Sequence, residues 1–219
     1  QCEDEISSIN MAVGAAHMGV RSATATSGPG FALMVEGIGF ASITEAPGPV
    51  ITMYQRGGPS TGLPTRQEQG DLLFTLHPAQ GDFPHVVTAP GDLRECYQDI
   101  FSAFNWAETY QLPVVVLPDK KLAAAYTTID KLELAYDTIE RGKTFTGSEW
   151  TPVEAKGAEI AAGNGHAGNG HAPAADVKEY LRYAFSEDGI SPRSRPGLPG
   201  GRYWSTSDEH DPDGHITEG

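Results

Sequence analysis

The 219 residues are enough for one sizeable α/β domain plus an appendage. A formal charge of −14, from 29 acidic against 15 basic residues, leaves no third of the chain basic and argues against nucleic acid as a partner. The two cysteines, Cys2 and Cys96, lie far apart outside any ligand-spaced motif, so a reducing, cytoplasmic setting without a disulfide framework is expected, and no apolar run nears the roughly 20 residues of a membrane span.

The chain goes straight from Gln1 into a helical pattern over residues 3–18, with Ile6, Ile9, Val13 and Ala16 at three- and four-residue spacing. Such an opening reads as a piece of a longer protein. Residues 21–26 read as a short strand ending in the tight turn Ser27, Gly28, Pro29 and Gly30. A second helix is predicted over 31–44, where Gly37, Gly39 and Ala41 suggest close packing. Residues 49–55 (PVITMYQ) form a buried strand, and the loop 56–65 follows. A strand over 85–88 precedes a long helix over 92–110, whose apolar stripe runs Leu93, Tyr97, Ile100, Phe104 and Ala107. Residues 113–117 (PVVVL) are too hydrophobic for an exposed edge strand.

Strands and helices thus alternate to about residue 125. That rhythm predicts an α/β fold with a doubly wound, mostly parallel sheet covered on both faces. Ligands in such sheets bind beyond the carboxyl ends of the strands, where the loops at 27–30 and 56–65 would lie. Residues 126–160 carry mixed signals. Residues 161–173 (AAGNGHAGNGHAP) cannot bury a core and read as a flexible insertion within a connecting region, 126–177. Its His166 and His171 are read as solvated loop residues, not as metal ligands. A short helix from residue 177 (VKEYLRYAF) leads into an irregular Gly/Pro/Asp-rich segment, 178–219.

Three features carry possible chemistry. Glu5 shares a helical face with Ile9, Ala12 and Ala16, and a carboxylate on an apolar face is costly unless a ligand there needs it. The competing reading is an acid favoured by the helix macrodipole. The run Thr26, Ser27, Gly28, Pro29 and Gly30 permits close approach of backbone to a ligand. The most informative feature is QRGGPSTGLPT at 55–65, a loop shaped by three glycines and two prolines. It presents Arg56, which can fork onto a carboxylate, and the hydroxyls of Ser60, Thr61 and Thr65. Alternatively Arg56 pairs with Glu45 or Glu68 on the surface.

Four segments, EDEISSINMAVGAAHMG, TATSGPGFALMVEGIGFA, QRGGPSTGLPTRQEQGDL and RYWSTSDEHDPDGHITEG, occur in this order. Together they resemble the α subunit of 2-oxoacid:ferredoxin oxidoreductases over residues 3–125 and again over 178–219. The resemblance implies a thiamine diphosphate pyrimidine-binding domain over 1–125, truncated at its amino end. Glu5 becomes the carboxylate that activates the cofactor, and Thr26, Ser27, Gly28 and Pro29 line its site. Arg56 and Thr65, with Ser60 and Thr61, become the residues that hold a 2-oxoacid.

The implied reaction is oxidative decarboxylation of a 2-oxoacid such as 2-oxoglutarate or pyruvate onto coenzyme A, with electrons passing to ferredoxin. Two cysteines cannot hold a [4Fe–4S] cluster. Gly70-Asp71, Gly81-Asp82 and Gly91-Asp92 lack the companions a diphosphate-bound Mg²⁺ requires. Cluster and metal are therefore expected on a partner β subunit, which would share the thiamine diphosphate. The closing run Asp208, Glu209, His210 and Asp211, with Asp213 and His215, is read as packing or subunit contact and not as a metal site.

Overall fold

The computed structural model describes residues 1–130, 139–146, 180–205, 207–211 and 217. The chain forms two compact units, Gln1–Gly142 and Lys143–Gly219.

In the first unit, helix α1 (Glu5–His17) begins where Asp4, in extended conformation, accepts the Ser7 N–H at 2.7 Å. It buries Ile9, Ala12, Val13 and Ala16. Strand β1 (Ala23–Ser27) runs directly into helix α2 (Gly28–Ile43), Ser27 closing the strand and standing at the N-cap position without a side-chain cap bond. The expected tight turn at 27–30 is therefore the first turn of α2. Pro29 explains this, because its fixed φ suits a helix start and its missing N–H costs nothing there. Gly37 on α2 lets Ile9 of α1 approach closely: a Cβ on Gly37 would stand 2.8 Å from Ile9 Cγ2.

Strand β2 (Val50–Tyr54) is followed by the long loop and a short helix, α3 (Leu72–Leu76), which the sequence pattern did not reveal. Strand β3 (Val86–Thr88), helix α4 (Leu93–Tyr110), strand β4 (Val114–Val116) and helix α5 (Lys120–Ala123) complete the unit. Asp92 caps α4 by accepting the Glu95 N–H at 2.8 Å, and Gln111 ends it in the left-handed conformation.

All strand pairs are parallel, in the order β1-β2-β4-β3, with Val50 opposite both Ala23 and Val114. On one face α1 and α2 pack Ile9, Val13, Phe31, Met34 and Ile38 against Ile51, Met53 and Val115. On the other, Ala103, Ala107, Ile100 and Phe104 of α4 meet Val50, Val114 and Val116. The sheet is doubly wound, as its apolar strands predict. Glu108, only 2 % exposed, is held by Arg21 Nε at 2.6 Å and Arg141 Nη2 at 3.1 Å. No helix among the described residues is long and apolar enough to cross a membrane.

The second unit is built on aromatic contacts. The part of the predicted helix that is described, residues 180–185, is irregular chain with a turn at 182–183. The spacing of Tyr180 and Tyr183 that resembles a helical stripe serves another purpose. Tyr180 packs on Phe145 with ring centroids 4.4 Å apart and donates its hydroxyl to Pro192 O, while Tyr183 stacks on His210 at 3.7 Å. Burial pushes the Tyr180 hydroxyl well above its ordinary pKa. Residues 161–173, with His166 and His171, lie outside the described residues, as do Asp213 and His215.

Candidate active site

The start of α1 and the end of β1 lie together, since Glu5 and Thr26 both reach the position that a Gly30 Cβ would take. Glu5, in the first turn of α1, is half-buried on the face that continues through Ile9, Ala12 and Ala16. Gly30, in the first turn of α2, is buried beneath it. A Cβ on Gly30 would lie 2.6 Å from Glu5 Oε1 and 2.1 Å from Thr26 Oγ1. Only a glycine lets the carboxylate and the hydroxyl meet over this backbone. Ser27 and Pro29 are half-buried beside them.

The loop after β2 is fixed at three levels. Leu63 N–H donates to Gly57 O at 2.8 Å, and Gly62 adopts φ 52° where a Cβ would collide with Gly57 O. Farther along, Gln67 and Gln69 each donate to Asp119 Oδ2 at 2.8 Å. Asp119 in turn caps α5 through the Leu122 N–H at 2.7 Å. These bonds hold the Asp119 carboxyl below its ordinary range, the Leu122 N–H contributing most. Ser60, Thr61 and Thr65 project from this framework into solvent, whereas Arg56 is half-buried. Among the described residues no ion pair joins Arg56 to Glu45 or Glu68. The surface-pairing reading of Arg56 therefore has no support in the structure.

Two residues that sequence reasoning passed over belong to the same edge. Asp71 belongs to the segment 55–72 and to the Gly70-Asp71 pair that makes a poor metal motif. It lies with Oδ1 3.0 Å from where a Cβ on Gly28 would stand, and burial raises its carboxyl above the ordinary range, an effect that the nearby Arg56 offsets in part. Gln55 is 5 % exposed and lines a cleft of ≈ 480 Å³ with Gln69, Leu117, Asp119 and Leu122. Gln55 Oε1, Arg56 Nε and Asp71 Oδ2 are all buried without a hydrogen-bond partner. Buried polar atoms are seldom left so, and three clustered after one strand mark the place where a polar ligand belongs. Gln55 opens the QRGGPSTGLPT loop and Asp71 falls near the end of the longer segment 55–72, but the local pattern assigns neither a role.

The family described as pyruvate flavodoxin/ferredoxin oxidoreductase, thiamine diphosphate-binding, matches residues 1–219. The chain belongs to this family. Among curated proteins, the α subunit of 2-oxoacid:ferredoxin oxidoreductase 1 from Sulfurisphaera tokodaii is 47% identical over 220 residues, spanning 100% of this chain and 30% of that protein. The 2-oxoglutarate synthase subunit KorA from Methanocaldococcus jannaschii is 48% identical over 120 residues, 55% of this chain and 32% of its own. Among solved structures, a 2-oxoglutarate:ferredoxin oxidoreductase from Magnetococcus marinus, with 2-oxoglutarate, coenzyme A and succinyl-CoA bound, superposes with a TM-score of 0.81 at 37% identity. That match covers 100% of this chain and 33% of the other. The chain thus spans about a third of its relatives' length, as a thiamine diphosphate-binding domain of the family. The Glu5, Thr26 and Gly30 cradle fits that cofactor in its donor set: a half-buried carboxylate for a ring nitrogen, set over a buried glycine backbone. Among the described residues no group of three or more His, Cys, Asp or Glu side chains lies together as a metal site.

Proposed function

We propose that this chain is the cofactor-activating and substrate-holding part of a 2-oxoacid:ferredoxin oxidoreductase α subunit, acting in the cytoplasm. The reaction is oxidative decarboxylation of a 2-oxoacid onto coenzyme A with electrons delivered to ferredoxin. The observation that carries this reading is the Glu5 carboxylate set over the bare backbone of Gly30 beside the Thr26 hydroxyl. When bound, thiamine diphosphate supplies the nucleophilic carbon and the electron sink that decarboxylation requires. With the cofactor bound, the Glu5 carboxylate, standing over Gly30, would share a proton with the pyrimidine ring nitrogen. Residues Thr26, Ser27, Gly28 and Pro29 would line the cofactor's site.

Arg56, with Nε buried and unspent, forks onto the 2-oxoacid carboxylate. Thr65, Ser60 and Thr61 add neutral hydrogen bonds at the keto end. The two cysteines leave the [4Fe–4S] cluster to a β subunit, which also supplies Mg²⁺ and the diphosphate site. The names of the relatives favour 2-oxoglutarate among the acids. Residues 1–125 form the pyrimidine-binding domain in this reading, 126–177 connect it, and 178–219 lead onward.

The full-length subunit, co-expressed with the β subunit, tests the assignment through coenzyme A-dependent reduction of a viologen dye. Turnover with 2-oxoglutarate or pyruvate is expected. Inactivity with every 2-oxoacid tried would leave this chain a non-catalytic assembly domain.

A further inference from the structure

The cleft beside Gln55 opens at the carboxyl ends of β2, β3 and β4, where ligands of parallel sheets collect. Its ≈ 480 Å³ fall within the range of about 300–1,000 Å³ usual for small-molecule sites. Most of its wall is apolar, from Ala89 and Pro90 after β3, Leu117 after β4, and Leu122 of α5. Gln55 lines the same cleft with its Oε1 buried and unpartnered. The Gln55 backbone N–H is already spent on Pro118 O at 3.0 Å, so the side chain is what remains to be satisfied. Among the described lining residues the one cation is Lys121, exposed and in no ion pair. The cleft adjoins the proposed active site on two sides. Gln55 immediately precedes Arg56, and the lining residue Leu72 follows Asp71, whose Oδ1 lies 3.0 Å from the position of a Gly28 Cβ.

We propose that this cleft holds the pantetheine arm of coenzyme A, with Gln55 Oε1 accepting an amide N–H of the arm and Lys121 meeting its phosphate end. This inference rests on the proposed function and deepens it, by giving the cosubstrate a path along this chain. The arm is slender and largely apolar, interrupted by secondary amides, with a thiol at one end and phosphate at the other. An amide N–H that leaves water needs an acceptor, and the unpartnered Gln55 oxygen is one. The thiol has to reach the carbon reacting beside Arg56, and Gln55 brings the cleft next to that residue. At the other end, the Gly91 N–H is taken by Glu95 Oε2 at 2.6 Å, which leaves Lys121 for the anionic group. The distal carboxylate of a 2-oxo dicarboxylic acid fits the lining poorly. It would face the Gln55 oxygen and the Asp119 carboxylate, with no buried cation among the described lining residues to balance it.

The test titrates coenzyme A calorimetrically into the full-length α subunit assembled with its β subunit, so binding is read whether or not the complex turns over. Gln55→Met removes the acceptor and keeps the length, and exchanging an unpaired buried amide for an apolar chain should leave the melting temperature equal or higher. Its Kd for coenzyme A should rise about tenfold, and its Kd for free pantetheine, which lacks the phosphates, by a similar factor. Lys121→Gln should weaken coenzyme A by about threefold and leave pantetheine unchanged. Ala125→Phe, which adds a ring to the lining from an exposed position, should weaken both ligands and decides the matter if Gln55→Met does not assemble. In dye reduction the KM for the 2-oxoacid should stay within about twofold of wild type in all three variants. An unchanged Kd for coenzyme A in Gln55→Met or in Ala125→Phe overturns the inference. So does an oxoacid KM that rises in step with that Kd, which would give the cleft to the oxoacid or mark a disturbed loop. A complex that binds coenzyme A through Gln55 yet oxidises no 2-oxoacid refutes the proposed function and leaves the binding site standing.

Discussion

Gly30→Ala adds one methyl group at the point where Glu5 and Thr26 converge. The new Cβ would stand 2.1 Å from Thr26 Oγ1 and 2.6 Å from Glu5 Oε1, and ordinary contact begins near 3.4 Å. Thr26 must therefore retreat by about 1.3 Å and Glu5 by about 0.8 Å. Overpacking of this size costs about 1–3 kcal/mol. Replacing glycine by alanine inside a helix returns about 1 kcal/mol, so the net loss of stability is about 0–2 kcal/mol. The effect on turnover is far larger, because a catalytic group misplaced by about 1 Å costs on the order of 100-fold. Thermal unfolding and steady-state viologen reduction on the same preparation separate the two effects. A Gly30→Ala complex that keeps activity within twofold of wild type would show that the cradle does not hold the reacting ring.

Other consequences follow from the same contacts. Glu108→Ala leaves Arg21 and Arg141 without their shared buried carboxylate; it should cost about 3 kcal/mol of stability, read by urea denaturation. Gly62→Ala places a methyl 1.8 Å from Gly57 O at a positive φ; the loop should open, raising the oxoacid KM while the melting temperature changes little. Asp119 has its carboxyl pKa lowered in the folded state, from the usual 3.8, by the Leu122 N–H and the Gln69 and Gln67 amides. Its contribution to stability is therefore present above pH 3.8 and lost as pH falls through the lower folded value. In acid titration Asp119→Ala should flatten the low-pH loss of stability, and at neutral pH it should loosen the 56–70 loop, detected as faster hydrogen exchange there.

The alternating apolar strands made the doubly wound sheet legible, because strands covered on both faces must be hydrophobic throughout. The α4 stripe was equally legible; Ile100, Phe104 and Ala107 face the core where their spacing placed them. The first turn of α2 was misread because Gly-Pro-Gly signals a turn as strongly as it signals a helix start. Helix α3 escaped notice because five residues are too few to show a period. In the second unit, Tyr180 and Tyr183 have helical spacing, but their rings gain more from Phe145 and His210 than a short helix would return.

The site divides in the same way. Glu5 stood out because a carboxylate continued an apolar face, and Arg56 because glycines and prolines shaped the loop around it. Asp71 and Gln55 lay in the motif-bearing segment 55–72 without an assigned role, since their surroundings are set by distant partners: Gly28 for one, and the cleft at the ends of β2 and β4 for the other.

The most direct test of the account is Glu5→Gln in the full-length subunit assembled with its β partner. The amide preserves the volume over Gly30 but cannot exchange a proton with the ring nitrogen. The account predicts an intact complex that retains thiamine diphosphate and has lost at least about 100-fold in 2-oxoacid-dependent dye reduction. Full activity in that variant would contradict it.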